Sequence, residues 1–157
     1  MNIHIADADK EIADCYSVMS ELRPHVPESE FVSRVLSQMK NGYRLVAGED
    51  DGDIVAVAGF RIGENLAWGR FLYVDDLVTS EKYRSKGYGA ELLSWLRNHA
   101  KNEDCHQLHL DSGTQRESAH RFYEREGVSK SGFHFVEQLL PNKALHPTSG
   151  RVAASLG

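Results

Sequence analysis

Ile3 and Ile5 alternate with polar neighbours at the head of the chain, the two-residue period of a short strand over residues 2–6. Ile12, Ala13, Tyr16 and Met19 then recur at helical spacing, with Asp7 or Asp9 placed to cap that helix. The run Arg23-Pro24-His25-Val26-Pro27 ends it, because proline lacks an N–H and restricts the residue before it. Ser29 stands where a second helix begins, with Phe31, Val32, Val35, Leu36 and Met39 as its apolar stripe and Asn41-Gly42 as its stop. Residues 43–48 and 54–62 read as strands joined by Glu49-Asp50-Asp51-Gly52-Asp53, a hairpin turn of residues that tolerate positive φ. A long strand over 67–79 follows the turn Gly63-Glu64-Asn65.

Residues 87–101 form an amphipathic helix through Gly89, Leu92, Leu93, Leu96 and Ala100. A strand at 107–111, a short helix at 116–126 and a last strand at 133–139 complete the pattern. The order β-α-α-β-β-β-α-β-α-β predicts an α/β (α+β) fold, a mixed and mostly antiparallel sheet covered by helices. One domain over residues 1–141 accounts for it. From Pro141 the periodicity stops, and residues 142–157 read as a tail of small residues outside the core.

Composition narrows the function classes. At 157 residues the chain can bury a proper core, and its apolar runs are too short to span a bilayer. Residues 1–7 have neither the basic segment nor the apolar core of a secretory signal, so the expectation is a cytoplasmic protein away from membranes. A net charge of −5 implies no broad basic face, and a nucleic-acid partner is not expected. Cys15 and Cys105 have no CxxC or Cys/His spacing and read as free thiols. No histidine pair has ligand spacing with a third donor, so no metal is expected.

The chemistry begins at Arg84-Ser85-Lys86-Gly87-Tyr88-Gly89-Ala90, between a strand and a strong helix. Exposed backbone N–H groups and the helix dipole favour an anion there. Gly87 and Gly89 remove side chains from the approach, while Arg84 and Lys86 add positive charge. The GxxxxGK[ST] spacing of a nucleotide loop is missing, and the second half of GxGxxG fails at Leu92. By itself the segment is an anion site at a helix start, or a glycine turn with surface charges.

Three segments together resemble the GNAT acetyltransferase superfamily. Arg84, Gly87 and Gly89 match its pyrophosphate motif [QR]-x-x-G-x-[GA]; Val74-Asp75-Asp76-Leu77-Val78-Thr79 is similar to the strand before that loop; Ala119-His120-Arg121-Phe122-Tyr123-Glu124-Arg125-Glu126-Gly127 is similar to its A-x-x-F-Y-x-x-x-G helix. Val57-Ala58-Gly59-Phe60-Arg61 sits where the superfamily places a strand beside the substrate. The segment L-D-S-G-x-Q-R-x-x-A-H-R-F-Y resembles a GNAT subgroup without a settled substrate.

The resemblance implies an N-acetyltransferase that moves an acetyl group from acetyl-CoA to a primary amine by direct attack. The alternative in the same fold is a non-catalytic acyl-CoA-binding sensor. It implies two splayed strands, here 70–79 and 107–112, with the pantetheine arm between them on the backbones of Leu77, Val78 and Thr79. Arg84, Ser85, Lys86, Gly87, Tyr88, Gly89 and Ala90 would hold the pyrophosphate. Tyr123 matches the general acid near the cofactor sulfur, and a phenol with a pKa near 10 keeps its proton at neutral pH.

Asp75 falls where related small-amine enzymes carry a glutamate and is the candidate base, acting through a water. Strand alternation puts Asp75 on the face of Tyr73, and Asp76 opposite with Leu72 and Val74. Arg116 occupies a position where an asparagine is common. It can reach cofactor phosphates or an anionic substrate group, or stand as a solvated helix charge. Among His25, His109, His120 and His134, His120 and His134 are second-rank candidates for contacting the acceptor. That acceptor is a small-molecule amine or a peptide, and the superfamily admits homodimers.

Overall fold

The computed structural model describes residues 1–141; the tail reading of 142–157 lies outside them. In chain order the elements are β1 (Asn2–Ile5), α1 (Asp9–Asp14), α2 (Tyr16–Leu22), α3 (Glu28–Met39), β2 (Arg44–Asp50), β3 (Asp53–Asn65), β4 (Gly69–Thr79), α4 (Tyr88–Asn102), β5 (Gln107–Leu110) and α5 (Glu117–Arg125). A single 3-10 turn, Glu81–Tyr83, precedes α4. The strands form one sheet in the order β1-β2-β3-β4-β5, antiparallel except for the parallel pair β4–β5. This is the mixed, mostly antiparallel, helix-flanked architecture that the periodicity predicts.

Both faces of the sheet are covered, which is why β2 and β3 are nearly continuously apolar rather than alternating. One face carries Leu45, Ala47, Val57 and Val78 against Ile12, Val18, Met19, Phe31 and Val35 of α1–α3. The other carries Val46, Ala58, Phe60, Leu72, Val74 and Leu77 against Leu92, Leu93 and Leu96 of α4 and Tyr123 of α5.

Local chemistry corrects several boundaries. Neither Asp7 nor Asp9 caps α1; the Glu11 carboxylate reaches back to the N–H groups of Asp7 and Ala8, both at 3.0 Å. Ser29 lies inside α3, whose N-cap is Pro27, an extended residue whose missing N–H lies outside the helix's own bonds. The β2–β3 hairpin turns on Asp51 (φ 50°) and Gly52 (φ 82°), two left-handed residues as a type I′ turn requires. Cys15 is buried and Cys105 half-buried, and both are free thiols.

The largest correction concerns the end of the chain. Residues 133–139 form no strand, and Phe133, Phe135 and Leu139 stand 86%, 90% and 79% exposed. Their alternating pattern is that of a strand, but the segment pairs with no strand of the described sheet, whose order ends at β5.

Candidate active site

β4 is where the sheet opens. Its pairing with β5 runs from Phe71↔Gln107 to Val74↔Leu110 and stops. Its pairing with β3 continues to Thr79, but with a register shift: Phe60 faces Val74 and Gly59 faces Asp76. Asp75 is thus the extra residue of a bulge, and a bulge bends its strand. The bend falls where β4 and β5 part, leaving the β5-facing side of Asp75–Thr79 as open backbone. The gap expected between 70–79 and 107–112 is present, and the backbones of Leu77, Val78 and Thr79 border it.

The bulge also overturns the simple alternation expected of the two aspartates. Both carboxylates reach the α2–α3 side. Arg61 Nε donates to Asp75 Oδ2 at 2.7 Å, and the same guanidinium donates to Gln38 Oε1 at 2.9 Å and Asn41 O at 3.4 Å. Arg23 Nε donates to Asp76 Oδ1 at 2.8 Å and its Nη2 to the Asp75 carbonyl at 3.1 Å. The Tyr43 hydroxyl donates to Asp76 Oδ2 at 2.8 Å. Asp76 is therefore fully engaged. Asp75 keeps Oδ1 outside these bonds, and burial pushes its carboxyl above the usual range although Arg61 opposes the shift. The sequence marks Arg61 only as the end of a substrate-side strand and gives Arg23 and Tyr43 no role at the site; a buried acid pair in an apolar strand is the signal that cationic partners have to exist.

At the far end of β4, Ser80 and the 3-10 turn lead into Arg84–Gly89. Glu21 of α2 fixes that approach, accepting from Ser80 Oγ at 3.0 Å and from the Glu81 N–H at 2.8 Å. Ser85 (φ 65°) and Gly87 (φ 87°) are both left-handed, a curl that turns successive N–H groups into an anion-binding concavity. Gly87 is the N-cap of α4, the longest helix, so the dipole adds to it. A Cβ on Gly87 would touch nothing, so glycine is needed there for its φ. Gly89 serves packing: a Cβ there would lie 3.2 Å from Thr79 Oγ1 and 3.4 Å from the Phe122 ring. Ala90 follows in the first turn of α4.

Charge around the curl is loosely held. Arg84 is 58% exposed and lies 3.9 and 4.0 Å from Glu21 and Glu81. Lys86 lies 5.2 Å over the Tyr83 ring. The Tyr88 hydroxyl instead donates to Asp50, which pushes the phenol up to about 12 and ties α4 to the hairpin. These groups suit a pyrophosphate: backbone donors, a helix N-terminus, two exposed cations and open space at Gly87. Among the described residues no cluster of three His, Cys, Asp or Glu is placed to hold a metal ion.

Tyr123 of α5 packs in the cluster that holds Val74 and Leu77 of β4. It is 5% exposed, and burial pushes its hydroxyl up to about 12, with the nearby positive charge of Arg116 opposing. Arg116 is the N-cap of α5, half-buried; burial lowers its pKa, and Arg23 and Arg84 act in the same direction from close by. Ser112 Oγ, two residues beyond β5, is buried without a partner. The histidines are placed less suggestively. His120 Nε2 bonds the Gly113 carbonyl at 2.8 Å, His109 stacks on Trp68, and His134 lies 3.6 Å from Asp111.

A model of the Acetyltransferase (GNAT) family matches residues 7–128. The chain belongs to that family. An uncharacterised N-acetyltransferase of Bacillus subtilis (strain 168), YhdJ, is 35% identical over 125 residues, covering 79% of this chain and 85% of the relative. An aminoalkylphosphonate N-acetyltransferase of Salmonella typhimurium is 29% identical over 98 residues, 62% of each chain. The same GNAT fold is seen in a ribosomal-protein-alanine N-acetyltransferase from Brucella melitensis biovar Abortus 2308, with a TM-score of 0.76 at 16% identity over 88% of this chain and 100% of that one. As a GNAT acetyltransferase, the chain takes acetyl-CoA as its acyl donor.

Proposed function

We propose that this GNAT protein acetylates a primary amine by direct attack on the thioester of acetyl-CoA, with Tyr123 as general acid and Asp75 as the base acting through a water. The observation that carries the reading is that three features gather along the second half of β4. The open backbone of β4 beyond the bulge leads to the left-handed curl at the head of α4, and Tyr123 packs against the same strand beside Val74 and Leu77.

Acetyl-CoA supplies an acyl group already activated as a thioester, so the protein's tasks are positional and protonic. The N–H groups of the curl, with Arg84 and Lys86, anchor the pyrophosphate. The backbones of Leu77, Val78 and Thr79 hold the arm as a strand would be held. Asp75, with its raised pKa, relays a proton from the ammonium through water and leaves a neutral nitrogen to attack. As the C–N bond forms and the C–S bond breaks, Tyr123 gives its proton to the departing sulfur, and the second proton shed by the nitrogen as the amide forms returns the phenolate to a phenol. Arg116 stays near Tyr123 to favour the phenolate that results. Arg61 and Arg23 hold the carboxylates in place.

The acceptor is read as a small-molecule amine or a peptide, approaching Asp75 from the α2–α3 side on which its carboxylate lies. Thiol release from acetyl-CoA across a panel of small amines and peptide N-termini tests the reading. Release that depends on an amine is expected. Tight CoA binding without release for any acceptor would instead favour a non-catalytic acyl-CoA sensor.

A further inference from the structure

Arg116 stands where local chemistry argues against an arginine. It is the N-cap of α5, the positive end of a helix, where an anion stabilises and a cation does not. It is half-buried, and Arg23 and Arg84 are close enough for their charges to act against its own. Charges withdrawn from water are ordinarily paired. Among the described residues no carboxylate forms an ion pair with this guanidinium and no side-chain hydrogen bond engages it. A residue that breaks several local rules at once is the mark of a functional position.

The carboxylates of this region are engaged elsewhere. Asp76 holds Arg23 at 2.8 Å and accepts from Tyr43, while Asp75 holds Arg61 at 2.7 Å. Glu21 accepts from Ser80 and Glu81, and Glu117 lies 3.8 Å from Arg121. Tyr123, with its pKa pushed up to about 12, is a neutral phenol at rest and supplies no countercharge. Acetyl-CoA leaves the same imbalance, because the two negative charges of its pyrophosphate are matched by Arg84 and Lys86 beside the curl. Arg116 is left over.

A second unmet donor stands on the same connection between β5 and α5. Ser112 Oγ is buried with no hydrogen-bond partner, a state that costs free energy unless something accepts from it. Arg23 ties this region to the proposed base. Its Nη2 donates to the Asp75 carbonyl at 3.1 Å, and its charge is felt at Arg116.

We propose that Arg116 determines acceptor specificity, selecting a primary amine that also carries an anionic group, a carboxylate, phosphonate or phosphate. The proposal rests on acetyl transfer at this site and names the class of its acceptor. A guanidinium presents five N–H donors in a planar fork that matches two oxygens of such a group, with donors to spare toward Tyr123. The anion bonds Arg116 and also relieves the repulsion from Arg23 and Arg84; a neutral amine of the same shape does neither. The ammonium is drawn to Asp75 and the anion to Arg116, so opposite charges at its two ends orient the acceptor before attack.

Titration calorimetry of the CoA-loaded full chain with two matched pairs of amines tests this: O-phosphoethanolamine against ethanolamine, and β-alanine against β-alaninamide. In at least one pair the anionic member should bind on the order of ten- to a hundredfold more tightly, the size of a charge-assisted hydrogen bond. Arg116→Gln should bring that pair level, and Arg116→Lys should keep part of the preference. CoA affinity should stay nearly unchanged in both variants. Because the ratio within a pair is read, any effect of the variants common to both members cancels. No preference in either pair, a preference that survives Arg116→Gln, or a tenfold fall in CoA affinity in that variant would each overturn the proposal. Thiol release across the wider amine panel separates the two claims. Preferential binding with no release for any amine contradicts acetyl transfer and leaves the anion subsite standing; release with no preference keeps the transfer and removes the subsite.

Discussion

Gly59 of β3 and Tyr43, just before β2, are placed so that a Cβ on the glycine would lie 2.0 Å from the tyrosine hydroxyl. That hydroxyl crosses the vacant space to donate to Asp76, the residue paired with Gly59 on β4. The missing side chain thus lets a fully buried phenol satisfy a buried carboxylate beside the bulge. Burial and the Asp76 charge hold the Tyr43 pKa well above the usual phenol range, so it remains a donor at any working pH.

Gly59→Ala should displace Tyr43 from Asp76. Overpacking of this kind costs ~1–3 kcal/mol, and denaturant unfolding should show a loss of that size. Tyr43→Phe leaves one Asp76 oxygen without its donor and should cost ~1–3 kcal/mol. Arg23 remains on the other oxygen, so the variant should still fold.

The curl at the head of α4 makes a separate prediction. Gly87→Ala adds a methyl that meets nothing, so its effect comes from φ alone. Forcing an L-residue into the left-handed region costs roughly 1–2 kcal/mol. Calorimetric titration should show CoA affinity falling about tenfold if the curl gives way, with thermal stability little changed.

The gap itself is open to amide hydrogen exchange. On adding CoA, the β4 amides from Asp75 to Thr79 that face away from β3 should gain protection. Amides of the same strand bonded to β3 should change little. Protection confined to Arg84–Ala90 would mean that the pyrophosphate binds without the arm entering the gap.

The pH profile distinguishes the two proposed proton carriers. Asp75 acts as a carboxylate and burial raises its pKa. Activity should therefore fall as pH drops through that raised value, at higher pH than an ordinary aspartate would give. Asp75→Asn should remove this acid limb and lower kcat. Tyr123 acts in its protonated form, with its pKa pushed up to about 12. It should contribute no loss of activity until the pH approaches that value.

What the sequence made legible follows from how far each signal depends on neighbours. The helix–loop chemistry of Arg84–Gly89 is local, and its anion-binding curl is built by adjacent residues. The stripes of α3 and α4 are local for the same reason. The bulge at Asp75 is not: one extra residue in β4 is visible only once β3 supplies the register, and it moved Asp76 to the face of its neighbour. Arg61 and Arg23 lie far from the aspartates in sequence, so no motif announces them. Residues 133–139 show the converse, a strand period that is unpaired among the described residues although the sheet ends at β5 beside it.

The most direct test of the acetyl-transfer account is thiol release from acetyl-CoA with a competent amine, compared between the parent and Tyr123→Phe at matched CoA saturation. The account predicts kcat lower by ~10²-fold or more, the scale of general-acid catalysis, with the CoA dissociation constant nearly unchanged. An unchanged kcat would contradict it and remove Tyr123 from the proton path.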